Sequence, residues 1–242
     1  MTRGTGFLAS VANVSEAELV ARHGADIIDL KNPSAGSLGA VNQATCCDIV
    51  QQLRAQRPAS ELVFSATIGD GPYEPATVAT LINHTAATGV DIVKVGCFTP
   101  APDAPLLQSL TSAAEQGIRL VVVLFAEYAI PARQLEALAD CGIHGVMLDT
   151  ANKTSGSLRQ KLSDDELAIF IETARRQHLL AGLAGSLRRR DIGPLLGLAP
   201  DYLGFRGALC DASDRTAGLD ADAVESVRLM IHSPGDSRAR AS

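Results

Sequence analysis

The sequence predicts a single (β/α)8 barrel, and three observations carry that expectation. Eight short apolar segments alternate with amphipathic stretches, which requires a parallel sheet covered by helices. A helix–glycine–apolar strand pattern recurs at Gly24, Gly89, Gly117 and Gly142, where glycine suits the left-handed position after a helix end. Three of the four lysines, Lys31, Lys94 and Lys153, sit at or just past the ends of the second, fourth and sixth predicted strands. Alternate strands of a barrel feed one internal layer, so these groups would converge on a point that an open sheet does not offer so readily. At 242 residues the chain suits one such domain over residues 1–232, followed by a small, polar, disordered tail, Ser233–Ser242.

Taken in order, strands are expected near Phe7–Val11, Asp26–Leu30, Leu62–Ala66, Asp91–Val95, Leu120–Leu124, Gly145–Leu148, Leu179–Leu183 and Asp201–Phe205. The first helix is expected from about Glu16 to Arg22, with Ser15 and Glu18 at capping-box spacing. Further helical patterns cover Ala44–Ala55, Pro75–Ala87, Pro105–Gln116, Pro131–Asp140, Asp164–Gln177, Leu187–Leu196 and Ala221–Ile231. Asp103 before Pro105 reads as an N-cap, Ser163 with Glu166 as a second capping box, and Ser186 as the cap of the helix opening at Leu187.

Composition narrows the function. A net charge of -6, only 4% aromatics and no Trp leave neither the basic footprint nor the stacking surface of a nucleic-acid binder. No apolar run reaches the length of a membrane span, and the N-terminus lacks a signal-peptide pattern. Five cysteines, odd in number and without a C-x-x-C pair, read as reduced cytoplasmic thiols, with Cys46 and Cys47 as packing residues. The five histidines form no metal-binding spacing, and no serine nucleophile elbow is present. Neither metal nor cofactor is expected. A homo-oligomer is compatible with the sequence, which does not specify one.

The lysines carry the chemistry. Along the second strand, Ile27, Asp29 and Lys31 share one face. One aspartate–lysine pair alone reads as a structural ion pair. Lys94, however, interrupts an otherwise apolar parallel strand, where a charge needs a reason. Asp149 ends the sixth strand, and Lys153 follows in the loop. Arginine fills most cationic positions of this chain, so retained lysines point to a need for a primary amine, which can become a neutral nucleophile where a guanidinium cannot. The loops after strands seven and eight, with Gly185, Ser186, Arg206 and Gly207, occupy the usual phosphate position of this fold. Ser65, in Ser65–Asp70, is a weaker candidate for substrate contact.

Six segments carry a family resemblance: Ile27–Ala40, Ser65–Asp70, Asp91–Gly96, Val146–Lys153, Leu183–Leu187 and Gly204–Cys210. In order and with suitable spacing, from about Phe7 to Ile231, they resemble the (5-formylfuran-3-yl)methyl phosphate synthases. The resemblance implies a (β/α)8 fold and the joining of two molecules of glyceraldehyde 3-phosphate, a triose phosphate. The product would be a phosphorylated furan aldehyde for methanofuran-type C1 carriers, formed with loss of one phosphate and water. It places the family's Schiff-base lysine on Lys31 and its acid/base lysine on Lys94, with Asp149 and Lys153 at further polar positions of the site. Two other readings stay open: an aldolase-like, imine-forming lyase on another sugar phosphate, or a barrel that binds a phosphorylated metabolite without catalysis.

Overall fold

A computed structural model gives the structure of the protein, described here for residues 4–56, 62–74, 76–152 and 155–232. Eight parallel strands close into a barrel in sequence order: β1 (Gly6–Val11), β2 (Ile27–Leu30), β3 (Val63–Thr67), β4 (Ile92–Cys97), β5 (Leu120–Phe125), β6 (Gly145–Asp149), β7 (Leu180–Leu183) and β8 (Tyr202–Phe205). The helices α1 (Val14–Arg22), α2 (Gln43–Gln56), α3 (Val78–Ala86), α4 (Ala104–Glu115), α5 (Ala132–Asp140), α6 (Leu158–Lys161), α7 (Asp164–Arg176), α8 (Arg189–Gly197) and α9 (Ala221–His232) form the outer layer. The expected tail Ser233–Ser242 and Lys153 lie outside the described residues.

Side-chain alternation along the strands divides the apolar residues into two populations. Phe7, Ile28, Phe64, Val122 and Leu148 face outward and pack with helical Val20, Ile49, Ile82, Leu110 and Leu195, all buried. This shell between sheet and helices is the main core, and full burial of each such side chain contributes roughly 1.5–3 kcal/mol. Facing inward, Leu8, Ile92, Val121, Val123, Met147 and Tyr202 form a second apolar cluster. It plugs the barrel below the polar layer. Gly182 belongs to that plug, because a Cβ there would run into the Tyr202 ring.

Four local details differ from the sequence reading. The first helix is capped by Asn13, whose Oδ1 accepts from the Glu16 amide at 2.9 Å, and not by Ser15. Helix entry two residues earlier turns the Glu16 carboxylate back to the Ala12 amide, 2.8 Å away. Ser186 does not cap α8. Its φ of 49° is left-handed, whereas an N-cap is extended, and the helix opens at Arg189 with the Arg188 amide donating to Asp191 at 2.8 Å. Val78 opens α3, three residues later than expected, and Pro75 lies outside the described residues. The short α6 escapes a periodicity reading, though its Ser157-x-x-Gln160 box, with the Ser157 amide donating to Gln160 at 2.8 Å, is a local signal. The cap at Asp103 and the Ser163–Glu166 box are present.

Candidate active site

At the C-terminal mouth the inward face of the even strands turns polar. Asp29 on β2, Lys94 on β4 and Asp149 on β6 are 1%, 2% and 3% exposed, and Lys31, one residue past β2, is 8% exposed. Their alternation with outward-facing Ile28, Leu30, Val93, Val95 and Leu148 follows from the strand period of two. Asp29 and Lys31 therefore both point into the barrel.

The ion pairs are crossed between strands. Asp29 does not pair with Lys31 along its own strand; Lys94 Nζ lies 2.6 Å from Asp29 Oδ1, and Lys31 Nζ lies 3.6 Å from Asp149 Oδ2. Residues two apart on a strand project side by side, whereas partners on other even strands, β4 next in the layer and β6 opposite, meet head to head across the interior. Asp29 also accepts from the hydroxyls of Ser10, at 2.9 Å, and Ser65, at 2.8 Å. Asp149 Oδ1 accepts from the Thr150 amide at 2.7 Å. Burial pushes the Lys94 ammonium below the ordinary lysine range, and the Lys31 charge acts the same way while Asp29 opposes both. A buried amine whose pKa is lowered in this way gives up its proton more readily than an exposed lysine, as an acid/base group requires.

A cavity of about 540 Å³ opens above these groups. Gly185, Ser186 and Gly207 line it, together with Lys31, Lys94, Asp29 and Asp149. Gly185 has a φ of 104°, and a Cβ there would stand 2.9 Å from Thr150 Cγ2, so only glycine lets the β7 loop close onto the end of β6. Further lining cations are Arg188, Arg189, Arg206 and Arg215, against one further carboxylate, Asp214. In a chain of net charge -6 this local surplus of positive charge marks the mouth as a place for an anion.

Two sequence-predicted residues take other roles. Ser65 lies inside β3, is 1% exposed, and spends its hydroxyl on Asp29 without lining the cavity. Arg206 lines the cavity, yet its guanidinium is consumed by the protein. Nε donates to Arg215 O, Nη1 to Ser10 O and Glu16, and Nη2 to Glu16 and Ala217 O. A guanidinium has five N–H donors, and all five have protein acceptors, so Arg206 is a strut between the β8 loop, β1 and α1. Sequence reasoning missed Ser10, Glu16 and Arg215. Glu16 carried a signal in its Asn13-x-x-Glu16 spacing, and Ser10 is polar inside an apolar strand; Arg215, in a polar loop, carried none.

Among the described residues no helix is long and apolar enough to cross a membrane, and no group of three or more His, Cys, Asp or Glu side chains is placed to hold a metal ion.

Comparison with known proteins gives a consistent picture. A family profile described as 4-HFC-P synthase matches residues 7–228. The chain is 41% identical over 225 residues to a protein of Methylorubrum extorquens that bears the name (5-formylfuran-3-yl)methyl phosphate synthase provisionally, covering 91% of each. It is 34% identical over 226 residues to the (5-formylfuran-3-yl)methyl phosphate synthase of Methanopyrus kandleri, covering 87% of this chain and 92% of the relative. Among solved structures, phosphoribosyl anthranilate isomerase from Thermus thermophilus superposes with a TM-score of 0.64 at 13% identity, over 93% of this chain and 98% of that one. At that identity the likeness concerns the fold.

Proposed function

The chain belongs to the 4-HFC-P synthase family, and from that membership we propose that it joins two molecules of glyceraldehyde 3-phosphate into (5-formylfuran-3-yl)methyl phosphate through a Schiff base on Lys31. The observation that carries this reading is the crossed pairing of two buried amines with two buried carboxylates under a cation-rich cavity. A mere binding barrel has no need to bury two lysines side by side.

In this reading the neutral Lys31 amine adds to the substrate carbonyl and loses water to form an iminium. The iminium draws electrons from the neighbouring carbon and acidifies its C–H. Lys94 removes that proton and later returns it. The released electron pair expels the phosphate β to the iminium carbon, leaving a methylglyoxal-type unit linked to Lys31. The terminal carbon of that unit, deprotonated in turn, attacks the central carbonyl of the second triose phosphate in its ketone isomer, forming the carbon–carbon bond and leaving that triose's phosphate in place. Asp149 stabilises the cation on Lys31, and Asp29, fixed by Ser10 and Ser65, holds Lys94 in place. Ring closure and loss of water complete the furan, and hydrolysis frees Lys31. The balance closes with one inorganic phosphate and two waters released.

The Gly185–Ser186 and Gly207 loops supply backbone N–H groups for the phosphate that the product keeps. The product would feed a methanofuran-type C1 carrier. We place the reaction in the cytoplasm, a reading supported by five free cysteines. Incubation with glyceraldehyde 3-phosphate tests the proposal: a strongly absorbing furan aldehyde and inorganic phosphate are expected in equal amounts. A reversible aldol product alone would favour an aldolase-like enzyme, and neither product would sink the assignment.

A further inference from the structure

The loop after β8 sends two arginines toward the cavity, and only Arg206 is used up. Arg215 is half-buried and lines the same cavity. Its Nη2 donates to Gly36 O at 3.0 Å. Among the described residues no carboxylate lies within ion-pair distance of it, and the rest of its fork has no protein acceptor. The neighbouring Asp214, which also lines the cavity, accepts from the amide and hydroxyl of Thr216 at 2.9 and 2.7 Å and makes no ion pair with Arg215. A partly desolvated guanidinium without an anion is an incomplete arrangement, because a buried charge costs free energy unless it is paired.

Both ends of Arg215 are fixed. Its carbonyl accepts from Arg206 Nε at 2.9 Å, so the Arg206–Glu16 strut holds its backbone. At the other end, Gly36 belongs to the loop that follows Lys31, which Asp70 pins through the Ser37 and Leu38 amides. Gly36 has a φ of 110°, and a Cβ there would collide with the Asp70 carboxylate, so the turn whose carbonyl Arg215 grips has no room for another residue. Arg215 thus bridges the β8 loop to the β2 loop over the mouth, on the side where Lys31 meets Asp149. Asp149 is also the carboxylate whose charge acts most strongly on it. Arg188 and Arg189 line the cavity as well, but both are exposed at the start of α8, where water screens them.

We propose that Arg215 reads the phosphate ester of the triose phosphate that Lys31 engages. A planar guanidinium anchored by one N–H and presenting the others suits two-point binding of a phosphate. This deepens the proposed triose-phosphate chemistry and rests on it. The sequence reading gave this task to Arg206; the geometry moves it nine residues along the same loop, with Arg206 as the support.

Two measurements on Arg215→Gln test it, with circular dichroism to establish that the variant is folded. In the first, calorimetric titration with inorganic phosphate should show binding by the wild-type protein, weakened about tenfold or more in the variant, as the loss of a charged hydrogen-bonding partner implies. Equal affinity in the two proteins, or no binding by wild type, overturns the proposal. In the second, borohydride trapping compares glyceraldehyde 3-phosphate with unphosphorylated glyceraldehyde. The ratio of their trapping rates should collapse by about tenfold or more in the variant. An equal loss with both aldehydes would assign Arg215 a purely structural role through Gly36, and an unchanged ratio would likewise refute it. If wild type traps neither aldehyde, the Schiff-base chemistry fails and the phosphate titration alone decides the role of Arg215.

Discussion

Replacing Lys94 by Met separates what the buried amine does for the fold from what it does for the reaction. Methionine approximates the lysine stem and removes the charge, leaving Asp29, 1% exposed, without its cation. Removing one partner of a buried pair costs about 3–5 kcal/mol. The Ser10 and Ser65 hydroxyls, at 2.9 and 2.8 Å, still donate to Asp29, which places the expected loss at the lower end, about 3 kcal/mol. For a chain of this size that corresponds to a midpoint lowered by about 6–12 °C. Urea denaturation with thermal melting reads both. The double variant Asp29→Asn, Lys94→Met removes both charges and should recover at least about 1 kcal/mol, because the cost lies in the unpaired carboxylate. Turnover in both variants should fall by about 10²–10⁴-fold, the usual contribution of a positioned acid/base group, while the borohydride adduct on Lys31 persists. A single variant as stable as wild type, or a double variant whose losses simply add, would refute the pairing argument. Unchanged turnover would refute the acid/base role.

The direction of the Lys94 shift sets two pH dependences. Its folded pKa is lowered by burial, so between that value and the unfolded lysine value the native state binds fewer protons than the unfolded chain. Stability from this group therefore rises with pH through that window and is lowest below the folded pKa; kcat/KM should rise as Lys94 deprotonates, at a pH below the ordinary lysine range. Both pH-dependent rises should vanish in Lys94→Met, and their survival would assign them to another group. Arg206→Gln strands Glu16, 8% exposed, and should cost about 3–5 kcal/mol. Phosphate affinity should drop with it, because the Arg215 backbone loses its support; a variant of wild-type stability would contradict the strut.

What could be read from the sequence follows the reach of each signal. The barrel was legible because strand alternation and post-helical glycines are local and repeat along the chain. Inward-facing lysines were legible for the same reason, since a charge in an apolar parallel strand such as β4 is conspicuous by itself. Their partners were not. Asp29 and Lys31 are neighbours in sequence, but the barrel pairs them across strands, with Lys94 and Asp149. Arg206 and Arg215 show the same limit: each is an arginine in a polar loop, and only the three-dimensional placement of Glu16, Ser10 O and Ala217 O distinguishes the spent guanidinium from the available one. Caps fell between these cases. Ser163 and Glu166 stand at the observed helix start, whereas Ser15 and Ser186 had the right chemistry beside helices that begin elsewhere.

The central claim is that Lys31 forms the covalent link to substrate, and mass spectrometry of the borohydride-reduced adduct tests it most directly. Trapping with glyceraldehyde 3-phosphate should place one substrate-derived carbon skeleton on the peptide that contains Lys31. Lys31→Arg keeps a cation opposite Asp149, so it should fold and yet yield no adduct. An adduct located on Lys94 instead, or one that survives in Lys31→Arg, would contradict the account.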